Sequence, residues 1–145
     1  MKFDPSQFMP TQWDTSQDKC DFADKLSRFI ERGFPSTMWT KSLYHRLSNM
    51  FGHIAHYDKQ GFWDTWFADT PLQAQFLENM LEHTAYGDPT WTWSDVEQAL
   101  QRWLQATELA QKLQVKAMEE RKEIEMILLR TLAAKYNMEV TPNGR

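Results

Sequence analysis

The sequence predicts an all-α fold, a compact bundle of four or five helices with a long C-terminal helix. Three observations predict it. Apolar residues recur three and four apart along most of the 145 residues. No alternating apolar and polar run is long enough for a strand. Residues 95 to 135 contain neither glycine nor proline and are dominated by strong helix formers.

Residues 1–15, with Pro5 and Pro10 and no clear period, read as an extended arm that Phe3, Phe8 and Trp13 can pin to the body. Residues 16–136 then form one helical domain and 137–145 a flexible tail. A first helix is expected from Ser16, its N-cap, to Arg32, with Gly33 as the stop; Phe22, Leu26, Phe29 and Ile30 supply the buried face. After Pro35 and Ser36, the residues Trp39, Leu43, Leu47, Met50, Phe51, Ile54 and Tyr57 keep helical spacing. They predict a second helix from about 37 to 57, with Gly52 inside it.

Asp58 to Gly61 reads as a turn, and FWDTWF as a short helical segment with Phe62, Trp63, Trp66 and Phe67 on one side. Thr70 before Pro71 is a helix cap, and Leu72, Phe76, Leu77, Met80 and Leu81 carry the next stripe to an end near Tyr86 and Gly87. GDPTWTWSD is a loop that delivers Trp91 and Trp93 to Ser94, an N-cap with Glu97 completing a capping box. From Asp95 to about Lys135 a single helix would be about 60 Å long. Its ends are apolar (Val96, Leu100, Trp103, Leu104; Ile124, Ile127, Leu128, Leu132) and its middle, KLQVKAMEERKE, is mostly charged. That waist means a projecting helix or a turn near residue 114. Strict heptads fail at Gln114 and Arg121, so a long autonomous coiled coil is not expected.

A single cysteine, Cys20, permits no internal disulfide, and neither a secretory signal nor a run of 18 apolar residues is present. The expectation is a cytoplasmic protein with no membrane contact. Net charge is -4, but residues 58 to 100 hold eight acids against one base, whereas 101 to 145 hold eight bases and six acids. Direct nucleic-acid binding is not expected, because it needs a clustered Lys/Arg face.

Four constellations bear on function. His53 and His56, three apart, share a helical face with Asp58 close by; with His83 or Glu82 added they offer ligands that zinc or iron accepts, in an enzyme or sensor. The pair lacks the glutamate of the HExxH signature, and an i, i+3 pair arises often by chance. Cys20 lies among carboxylates (DKCDFAD) that disfavour a thiolate, and neither a serine elbow nor a glycine-rich phosphate loop is present, so no catalytic residue and no cofactor is assigned.

Trp91 and Trp93 lie outside any helical stripe, so one of them is expected at the surface. With Asp88, Asp95 and Asp64 they form the expected partner-binding surface, acidic and aromatic. Lys112, Lys116, Arg121 and Lys122 form a second candidate surface. The function expected is that of a non-catalytic regulator or inhibitor, of the size of phage or mobile-element accessory proteins. Its partner would be a larger protein such as a nuclease or other nucleic-acid-processing enzyme, met by electrostatic complementarity. A self-associating structural protein, a homodimer through Ile124 and Leu128, is the remaining alternative.

Overall fold

Thr15, not Ser16, starts the first helix. Its hydroxyl accepts from the amide of Asp18 while the Asp18 carboxylate accepts from the amide of Thr15, a reciprocal cap. Ser16 is the first helical residue, and its hydroxyl donates to the carbonyl of Phe8. In the computed structural model, which describes residues 3–50 and 58–136, this helix opens an all-α bundle: α1 (Ser16–Glu31), α2 (Lys41–Met50), α3 (Lys59–Trp66), α4 (Thr70–Glu82), α5 (Ser94–Thr107) and a long C-terminal α6 (Leu109–Lys135). Short 3-10 turns lie at Pro5–Gln7 and Ser36–Met38, and the described residues contain no strand. No helix among them is long and apolar enough to cross a membrane.

The arm is more folded than its prolines imply. Phe3 and Phe8 are buried, whereas Trp13, expected to help pin it, is 71% exposed. α1 closes in a Schellman turn: Gly33 (φ +82°) and Phe34 donate to the carbonyls of Ile30 and Phe29, and the Phe34 ring packs edge-on against Phe29 at 5.3 Å.

The second helix begins at Lys41 rather than 37. Thr40 caps it, its hydroxyl accepting from Leu43, and Trp39 stays extended at φ -82°, ψ 101°. Trp39 thereby turns inward. Its ring lies 5.6 Å from Phe29, 5.4 Å from Phe62 and 5.0 Å from Phe67, and its Nε1 donates to the carbonyl of Lys59. The expected continuation through Phe51, Gly52, Ile54 and Tyr57 lies outside the described residues.

Asp58 is the N-cap of α3, accepting from the Gly61 amide at 2.6 Å, so Asp58 to Gly61 is a helix start rather than a turn. Asp69, not Thr70, caps α4. That helix stops at Glu82, short of Tyr86, because the Gln101 amide on α5 donates to the carbonyls of Met80 and His83 at its last turn.

The largest correction is at Glu108. It adopts a left-handed conformation (φ 58°, ψ 22°) and divides the expected forty-residue helix into α5 and α6, four residues before the charged waist and six before the turn expected near residue 114 as the alternative. Leu104 and Ala110, on either side, are both buried, and α6 turns back along α4. A left-handed residue costs about 1–2 kcal/mol; burying the start of α6 offsets it.

Candidate partner-binding surface

Lys19 occupies the buried stripe of α1, three residues before Phe22 and seven before Leu26, and is wholly inaccessible to solvent. Its ammonium donates to three acceptors, each at 2.9 Å: the carbonyls of Pro89 and Thr92, and Oδ1 of Asp95. All three of its donors are thus used. One buried cation ties α1 to the loop 83–93 and to the start of α5.

The loop is tightened from within. Gly87 has φ +94°, and a Cβ there would lie 2.7 Å from Cγ2 of Thr92. The Asp88 carbonyl accepts from the amides of Trp91 and Thr92, and Oδ1 of Asp88 accepts from the amide and hydroxyl of Thr90. Those bonds from Thr90 hold the Asp88 carboxyl below the usual aspartate range, so it stays charged in mild acid. Ser94, expected as an N-cap, instead donates its hydroxyl to the carbonyl of Gly87. Glu97 does not complete a capping box, because its carboxyl meets Nε2 of His83 at 2.5 Å. Burial raises the Glu97 carboxyl above its ordinary value, against the lowering effect of the bond to His83.

The two loop tryptophans part company. Trp93 is buried, edge-on to Phe22 at 5.7 Å, with the Arg46 guanidinium 3.8 Å from its ring centre and its Nε1 donating to Asp14. Trp91 is 63% exposed, and its ring meets that of Trp13 edge to face at 6.4 Å. Beside this pair opens a cleft of about 350 Å³ lined by Arg46 and Asn49 of α2, by Tyr86, Trp91 and Trp93, and by the His83–Glu97 pair. A cleft of this volume is within the range of ligand and side-chain pockets.

Of the five residues expected to contact a partner, Trp91 and Asp88 are therefore presented to solvent together. Trp93 and Asp95 are structural: Asp95 spends Oδ1 on Lys19 and Oδ2 on the amide of Met9. Asp64 lies on α3, which packs against α2 and α4, and accepts from Gln60. Trp13 was expected only to pin the arm, and Lys19 and Arg46 were not singled out by sequence, although a lysine on an apolar stripe is a readable signal.

The four residues of the second candidate surface are all exposed and spread round α6. Lys112 and Lys116 border a shallow cleft with Ile30, Leu77 and Leu113, while Arg121 lies about 140° from Lys116 round one side of α6 and Lys122 about 120° round the other, at about 100° per residue. Of the expected metal set, His53 and His56 lie outside the described residues, and Asp58 is committed to capping α3. Among the described residues no three His, Cys, Asp or Glu side chains converge. Burial and the neighbouring Asp24 push the Cys20 thiol up to about 11, so it stays protonated.

No family model matches the chain, and neither a curated protein nor a solved structure is detectably similar to it.

Proposed function

We propose that the chain is a non-catalytic binding protein, a regulator or inhibitor that docks on a larger partner through Trp13, Trp91 and the cleft beside them. The observation that carries this reading is the pair of tryptophans standing mostly in water, Trp13 on the N-terminal arm and Trp91 on a loop whose backbone is held by Lys19. Tryptophan is among the strongest anchors of protein interfaces. A loop ordered before binding loses little further freedom on docking. Asp88 beside Trp91 and the acid excess of residues 58 to 100 favour a basic partner surface, such as that of a nucleic-acid-handling protein.

The test is affinity capture from the cells that produce the protein, comparing the parent with Trp13→Ala/Trp91→Ala and with Asp88→Lys, each checked for native circular dichroism. Loss of a basic partner in the double variant and its weakening in Asp88→Lys are expected. Undiminished capture by both variants moves the contact elsewhere.

A further inference from the structure

The turn at Glu108 resets the helical phase. From there Ala110, Leu113, Ala117, Glu120, Ile124 and Ile127 follow at steps of three and four, forming one seam along α6. Its first half is used inside the domain: Ala110 is buried, Leu113 packs on the core, and Thr70, at the start of α4, donates to Glu120. Beyond that contact Ala133 alone of the α6 side chains is buried. The helix nevertheless continues through residues 121–135, about 22 Å at 1.5 Å per residue. On this stretch Ile124, Ile127, Leu128, Leu129 and Leu132 are between 44% and 66% exposed. Together they leave on the order of 500 Å² of apolar surface in water, as much as the largest patch on a typical monomer.

We infer that this face joins two copies of the chain, paired antiparallel through residues 121–135. Charge selects both the occupant and its direction. Residues 119–125 carry four acids and two bases, whereas 126–135 carry two bases, Arg130 and Lys135, and no acid. Turning a second copy end for end about residues 127 and 128 lays each acidic stretch over the other's basic one. Parallel pairing would stack like on like. Antiparallel helices also align their dipoles favourably. Two such stretches bring up to about 1,000 Å² of apolar area to the contact, near the threshold that a specific interface must clear.

Sedimentation equilibrium over a concentration series tests the pairing. A monomer–dimer equilibrium is expected, with association weakened about tenfold or more by Leu128→Glu while circular dichroism is unchanged. Mild oxidation reads the direction. Leu128→Cys should form a disulfide-linked dimer. Arg121→Cys should not, because 121 and its copy would stand about 20 Å apart. The native thiol, Cys20, is buried and does not compete. A monomer up to roughly 200 µM, or a dimer indifferent to both Leu128→Glu and Ile124→Glu, overturns the inference. Equal cross-linking at 121 and 128 overturns the antiparallel arrangement.

Discussion

The loop 83–93 and the far half of α6 both hold large apolar side chains in water, and they are supported in opposite ways. The loop lacks regular structure, yet Lys19, Asp88 and Ser94 supply partners to its backbone. The far half of α6 is a regular helix whose described side-chain hydrogen bonding stays local, as where Thr131 donates to Ile127 one turn back. The contrast follows from backbone chemistry. A helix satisfies its own amides and carbonyls and can project without help, whereas an irregular segment must borrow partners or fray. Under the proposals above, the loop is a surface fixed before binding, while the helix face is completed only by association.

Removing the loop's support should have the largest effect. Lys19→Met leaves Asp95 and two carbonyls without their buried cation, and stripping one partner from a buried charged pair costs about 3–5 kcal/mol. A shift in the urea midpoint measures it, and faster amide exchange confined to the loop and the start of α5 would locate it. The helix should answer differently along its neighbours. Leu104→Ala, in the wholly buried part of α5, should cost about 2–5 kcal/mol, whereas Leu129→Ala in dilute protein should stay within about 0.5 kcal/mol. Equal losses at the two positions would erase the distinction between packed and projecting segments.

The smallest effect concerns Glu97. Because burial raises its carboxyl above the ordinary 4.5, the folded chain holds that proton more tightly than the unfolded chain does. Its contribution to stability is complete below 4.5 and is lost as pH rises through the folded value. Glu97→Gln should therefore flatten the fall in urea midpoint as pH rises above 4.5. A variant that declines as steeply as the parent assigns the slope to other groups.

The buried faces of α1, α3 and α4 were legible because spacing reports burial directly: Phe22, Leu26, Phe62, Phe76 and Met80 are all in the core. Caps slipped by one residue where two neighbours can both serve, as with Thr15 and Ser16, and the choice was made by the distant carbonyl of Phe8. The turn at Glu108 carries no glycine or proline. It exists because packing α6 on α4 outweighs a local cost, which no local pattern encodes. Trp91 and Trp93 sit in near-identical sequence, TWTW, and are separated by Asp14, Phe22 and Arg46, all more than forty residues away in the chain. Asp64 is exposed on α3 while Asp88 and Trp91 share the loop 83–93: an acid-rich stretch continuous in sequence is divided between elements in space.

Of the seven tryptophans, Trp13 and Trp91 alone stand more than half in water, at 71% and 63%. The intrinsic fluorescence of the protein therefore divides into a red-shifted component open to collisional quenchers and a shielded remainder. Asp88 stays ionised beside Trp91, so caesium should reach that indole more readily than iodide does. Emission from the unlabelled chain thus reports both occupancy and the sign of charge at this edge.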